Sequence, residues 1–259
     1  MRIYDINAVI HWFDDYVSSF ASDGKLPYIS EIKRVHSYDV KNVGTRLVTE
    51  MKWNEDEALV GAAASLLHDT GRFTQFRDYG TLYDSSSIDH GERGYDELKR
   101  FFPKDHADDE GYNAIIESVR WHNKKTLPES VDDIFQPFCK LVRDADKIDV
   151  LRLVQDHITK GKIGDLLPRS KISAPLSEAV LKEVEEHGYS SYKNVSSLAD
   201  FLLLQLTWIL DINFSASIKI INELGVVDKI VKLLPLSNRA SSVLDSLFAR
   251  IDKHLLYLK

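Results

Sequence analysis

Apolar residues recur every three or four positions along most of this chain, the spacing of one face of an α-helix. Ile32, His36, Val40, Val43 and Leu47 form one such stripe, and Ile115, Val119 and His122 form another. A third runs through Phe135, Cys139, Val142, Asp146, Asp149 and Leu153. The pattern predicts helices over about residues 5–20, 30–52, 55–69, 86–101, 109–123, 131–159, 176–187, 196–223, 226–233 and 237–257. Ser86 to Asp89 resembles a capping box ahead of the helix carrying His90, and Gly71 stands where a C-terminal glycine would end the preceding helix. No Asn-Gly or Asp-Gly turn joins two alternating apolar runs. The stretches 70–85 and 160–175 read as irregular, and no repeat or low-complexity segment is visible. The expected fold is all-α: a domain over about residues 1–164 with its N-terminal helix, and a helical C-terminal extension, 165–259, packed on it.

Composition narrows the function classes. Of 259 residues, 44% are hydrophobic and 28% charged, which suits a globular chain with a substantial core. A net charge of −7 argues against an extended nucleic-acid surface, while leaving room for a local basic pocket. Cys139 is the single cysteine, so an intramolecular disulfide is excluded. The first residues, MRIYDINAVIHWFDDY, have a helical rhythm broken by acids rather than a signal peptide's apolar run. The greasiest segment, Phe201 to Leu210, is interrupted by Gln205 and falls far short of the roughly 20 residues that span a bilayer. A cytoplasmic protein is expected.

Titratable side chains on the apolar stripes carry the chemistry. His36, His68-Asp69, His122 and Asp146 are predicted to point inward from separate helices, and His68 shares its face with the small residues Gly61, Ala64 and Ser65. Buried charges need partners or a metal. Each group alone has an ordinary reading: a hydrogen-bonded core histidine, a helix end, or an acidic face in which Lys147 pairs with Asp144 to Asp149. Their combination favours a metal site.

His36, His68-Asp69 and Asp146 resemble the H…HD…D signature of the HD-domain superfamily of metal-dependent phosphohydrolases. The resemblance covers about residues 28–160 and includes LLHDTGRF, the DHGERG segment with His90, the WHN segment with His122, and RDADKID. It implies an HD-type helical bundle in which His36, His68, Asp69 and Asp146 hold a divalent ion: iron, manganese, cobalt, nickel or zinc. Asp146 is preferred to Asp144 because the family's last aspartate usually precedes a basic residue, here Lys147; Asp144 would then orient a ligand. His90 and His122 match the extra histidines of members that hold two ions bridged by the aspartate of the HD pair; otherwise they would contact phosphate or carry protons. One ion or two stays open. Asp69, Arg72 and Lys147 are the expected catalytic residues, with Arg93 a further cation for the phosphoryl group.

The implied reaction is hydrolysis of a small phosphomonoester or phosphodiester by metal-activated water, with nucleotides a natural substrate class. The competing readings are a noncatalytic metal- or nucleotide-binding sensor or scaffold, and an HD-fold di-iron oxygenase. Lys124-Lys125 and the basic loop with Lys160, Lys162, Arg169 and Lys171 are expected to be solvated surface.

Overall fold

A computed structural model describes residues 1–168 and 170–258; Arg169 of the basic loop therefore lies outside the described residues. The chain divides into two compact units, Met1–Asp149 and Val150–Lys259. The fold is all-α. Among the described residues there is no β-strand, and no helix is long and apolar enough to cross a membrane.

The first unit contains α1 (Ile6–Ser18), α2 (Tyr28–Glu50), α3 (Glu55–Leu67), α4 (Thr70–Tyr79), α5 (His90–Phe101) and α6 (Asp109–Trp121); the division between units falls inside α7 (Gln136–Thr159). The buried stripe of α1, Val9, Phe13 and Val17, enters a core with Phe73, Leu98, Phe102, Ile115, Val119 and Val142. Phe13 meets Phe73 edge to face with ring centroids 6.1 Å apart. Burying each such side chain contributes about 1.5–3 kcal/mol. At the centre lies α3, whose buried run from Val60 to Leu67 is mostly glycine, alanine and serine. Those small residues let neighbours close in: a Cβ added at Gly61 would come within 2.6 Å of Leu141 Cδ2 on α7. Asn54 caps α3 by accepting from the Glu57 N–H at 2.9 Å, and Glu55, Asp56 and Glu57 complement its N-terminal dipole. Cys139 is buried and its thiol is pushed up to about 12 by that burial, as inert packing requires.

The second unit contains α8 (Ile163–Leu166), α9 (Glu178–His187), α10 (Leu198–Thr207), α11 (Ser215–Leu224), α12 (Val226–Leu233) and α13 (Asn238–Tyr257). Asp200 joins two helix starts there, accepting from the Ser177 N–H at 2.8 Å and the Ser196 N–H at 3.1 Å.

Several predicted elements differ from the observed ones. The stretch 70–85 is largely helical, as α4. Its buried face is Thr70, Gly71, Phe73, Thr74 and Gln75, too polar for apolar periodicity to register. Gly71 consequently ends no helix. It sits inside α4 because α5 passes so close that a Cβ would lie 2.2 Å from the His90 carbonyl oxygen. No capping box starts at Ser86: Asp89 caps α5, accepting from the Gly91 and Glu92 N–H groups at 2.9 and 3.2 Å. The expected helix 196–223 is broken, with a 3-10 turn at Trp208–Asp211 before α11, and buried Ile209 and Ile212 carry the apolar pattern through the break. Asp23-Gly24 does form a tight turn, both residues with positive φ, but it closes a single bridge between Ser22 and Lys25.

Candidate metal centre

His68 and Asp69 occupy the corner between α3 and α4. His68 is the last residue in helical conformation, and Asp69 (φ −97°, ψ 16°) breaks the ladder before α4 resumes at Thr70. His122 holds the same place at the end of α6. The last carbonyls of a helix lack intrahelical donors. Both histidines supply one, donating from Nδ1 to the carbonyl three residues back: His68 to Ser65 at 2.8 Å, His122 to Val119 at 2.7 Å. A carbonyl can only accept, so each ring is protonated on Nδ1 and presents a bare Nε2.

The other two histidines are fixed by carboxylates. His36, on α2, points Nδ1 at Asp149 Oδ2 of α7 at 2.7 Å, and both residues are buried. His90, at the start of α5, points Nδ1 at Asp84 Oδ2 at 2.6 Å. Asp84 lies on the 3-10 turn Asp84–Ser86 and also accepts from Arg72, Gln75 and Asn123. All four rings therefore turn Nε2 inward. His36 and His68 bring these atoms to 3.3 Å, and His90 and His122 to 3.0 Å.

Asp69 lies between the pairs with one oxygen toward each. Its Oδ2 is 3.6 Å from His36 Nε2 and 3.5 Å from His68 Nε2. Its Oδ1 is 3.6 Å from His90 Nε2 and 3.7 Å from His122 Nε2. Asp146 joins the first pair, with Oδ1 3.1 Å from His36 Nε2 and 3.7 Å from His68 Nε2. Candidate ligand atoms of His36, His68 and Asp146 all lie within 4.8 Å of one another, as do those of His68, Asp69 and His122.

Each Asp69 oxygen also faces a fixed cation, Lys33 Nζ at 2.7 Å from Oδ2 and Arg72 Nε at 3.5 Å from Oδ1. Burial alone would raise the Asp69 carboxyl, but Lys33 first, then His68, His122 and Arg72, hold it well below the usual carboxylate range. Burial depresses His68 to about 4 and, reinforced by Arg72, His90 to about 3. At His36 burial and Lys33 push downward, yet Asp146 and Asp149 prevail and raise the ring to about 9. Acceptors predominate in this cluster: the bare Nε2 atoms of His68, His90 and His122 and the carboxylates of Asp69 and Asp146 face one another at 3–4 Å, with the His36 ring the main proton carrier among them. A divalent cation fits that donor set, and Asp69 has the placement of a bridging ligand.

All six residues the sequence offers as ligands are thus in one cluster, together with Arg72. Lys147 donates to the Arg143 carbonyl oxygen on its own helix at 3.3 Å. Arg93 is drawn off to Thr74, Asp78 and Glu97, and Lys124 pairs with Asp89. Asp144 is buried, but the carboxylate behind His36 is Asp149. Sequence reasoning missed Lys33, Asp84 and Arg143. Lys33 lies one turn before His36, a spacing that signals a shared face. Asp84 sits outside any periodic pattern. Arg143 is buried and donates to the carbonyls of Trp121, His122, Lys124 and Lys125, fixing the chain around His122.

Residues 34–151 match the HD domain family, and the match supports the HD-domain superfamily, whose members are typically metal-dependent phosphohydrolases, for that segment. The matched segment ends within α7. No curated protein and no solved structure matches the chain.

Proposed function

We propose that this protein is a metal-dependent hydrolase of small phosphate esters that uses two divalent ions. The observation carrying this reading is the placement of Asp69, one oxygen toward His36 and His68 and the other toward His90 and His122. His36, His68, Asp146 and Asp69 would hold the first ion, and Asp69, His90 and His122 the second. Divalent ions bound there supply a Lewis acid for the phosphoryl oxygen and acidify water near neutral pH.

The chain's own contribution is orientation and charge. Asp149, Asp84 and the carbonyls of Ser65 and Val119 hold each Nδ1 and so aim each Nε2 at the ion sites, the usual office of groups behind metal ligands. Imidazole and carboxylate donors without thiolate suit iron, manganese, cobalt, nickel or zinc. Asp146 retains 26% side-chain exposure in an otherwise buried cluster, which makes its side the approach for a small substrate. Nucleotides are among the phosphate esters of that size, and a cytoplasmic setting agrees with a lone, buried cysteine.

Chelator-free purification, elemental analysis and a panel of nucleotides, phosphomonoesters and phosphodiesters test the reading, with dissolved oxygen followed in parallel. The expected result is more than one equivalent of metal per chain and phosphate release without oxygen uptake. Oxygen consumption without phosphate release would establish the oxygenase instead. Bound metal with neither reaction would establish a sensor.

A further inference from the structure

We infer that Lys33 is the residue that receives the substrate's phosphate and favours a terminal, dianionic phosphoryl group over a diester. This rests on the hydrolase reading and assigns a specificity-determining residue within it.

Three observations support the assignment. The Lys33 ammonium is 2.7 Å from Asp69 Oδ2, the oxygen that faces His36 and His68. It keeps 19% exposure, so it lies at the rim of the cluster rather than beneath it. Among the described residues, Asp69 is also its one hydrogen-bond partner. An ammonium has three donors. Two can therefore turn to a ligand that approaches at this rim.

Most neighbouring cations are engaged elsewhere. Arg72 commits Nη1 to Gln75, the Leu82 carbonyl and Asp84, and its Nε faces Asp69 Oδ1, the oxygen turned toward His90 and His122 rather than the one Lys33 meets. Lys147 folds onto its own helix, Lys124 is held by Asp89, and Arg93 by Asp78 and Glu97.

Charge balance makes the same selection. The four carboxylates of Asp69, Asp84, Asp146 and Asp149 offset two divalent ions, which leaves Lys33 and Arg72 as surplus positive charge beside Asp69. A phosphomonoester dianion matches that surplus, and a diester monoanion does not. With Asp69 also bound to metal, the Lys33 ammonium would stand next to a dication, a repulsion that an intervening phosphate oxygen relieves.

The test compares full-length Lys33→Gln and Lys33→Arg with the wild type, after helicity and metal content have been checked. Inorganic phosphate binding to the metal-loaded proteins is measured by calorimetry, and turnover is measured on an aryl phosphomonoester and the corresponding diester. Loss of one charge-assisted hydrogen bond predicts phosphate binding weakened about 10- to 100-fold in Lys33→Gln. Monoester KM should rise by a similar factor, and the monoester-to-diester ratio of kcat/KM should fall by about tenfold in protein that carries the wild-type metal content. Lys33→Arg should recover most of the phosphate affinity. Unchanged phosphate affinity and an unchanged monoester-to-diester ratio would overturn the assignment. So would a Lys33→Gln protein that loses metal and phosphate together, since Lys33 would then merely hold Asp69. If wild-type protein hydrolyses neither ester but its phosphate binding depends on Lys33, the hydrolase reading fails and the phosphate assignment survives.

Discussion

The two histidine pairs flanking Asp69 have the same inward geometry but rest on different supports. In the first, His36 is fixed by Asp149, a fully buried carboxylate on α7, so both partners belong to long helices. In the second, His90 is fixed by Asp84, which is 35% exposed on a 3-10 turn and is itself held by Arg72, Gln75 and Asn123. Helices position a ligand through the backbone ladder, whereas a turn relies on side-chain contacts that open locally at lower cost. The first pair should therefore bind its ion more tightly, and the second should be the one that varies with conditions.

Removing the residue common to both pairs is the strongest challenge to this comparison. Asp69→Ala should abolish stoichiometric metal and reduce ester hydrolysis to background while far-UV circular dichroism stays helical. Retention of one full equivalent of metal would show that the pairs bind independently and that Asp69 is no bridge.

Next come the two supporting carboxylates. Loss of a group behind a metal ligand typically costs 10–100-fold in affinity. Asp149→Asn should fall near ~100-fold for the tighter ion and Asp84→Asn nearer ~10-fold for the weaker one, because a partly exposed pair is screened. Competition against a chelator of known affinity resolves both constants. A larger loss in Asp84→Asn would reverse the ranking of the pairs.

Gly71→Ala probes the second pair through packing alone. The added Cβ would meet the His90 carbonyl oxygen at 2.2 Å and the Gly94 nitrogen at 2.5 Å, both backbone atoms that cannot rotate away. Separating α4 from α5 should cost about 1–3 kcal/mol in denaturant unfolding. It should also weaken the second ion while leaving the first within about twofold, since the atoms nearest the added Cβ all belong to α5. Equal weakening of both ions would mean that the pairs are mechanically coupled.

The same contrast explains what was legible in the sequence. His36, His122 and Asp146 lie on apolar stripes, and the His68-Asp69 corner follows a run of small residues; periodicity exposes such positions. Asp149 was visible in its stripe, although its service to His36 depends on how α2 and α7 meet. Asp84 was invisible because a turn has no period and its six-residue separation from His90 matches no helical or strand repeat. The helix α4 was missed for a related reason: it buries threonine, glutamine and glycine to make room for the site. Gly71 was misjudged because a helix-ending glycine and a glycine at a close helix crossing look alike until the crossing is known.

Arg72→Ala is the mildest perturbation and separates two roles that sequence position leaves undivided. A basic residue just past the histidine–aspartate pair invites assignment to phosphate. Its observed acceptors are Gln75, Leu82 and Asp84, and its Nε is buried 3.5 Å from Asp69 Oδ1. Without Arg72, Asp84 keeps Gln75, Asn123 and His90 as partners, so the second ion should weaken by less than about tenfold, below the effect of Asp84→Asn. Inorganic phosphate affinity at equal metal loading should stay within about twofold. The reverse pattern, intact metal with weakened phosphate, would make Arg72 the second pair's counterpart of Lys33, and the pairs would then differ in how they hold metal but not in how they meet substrate.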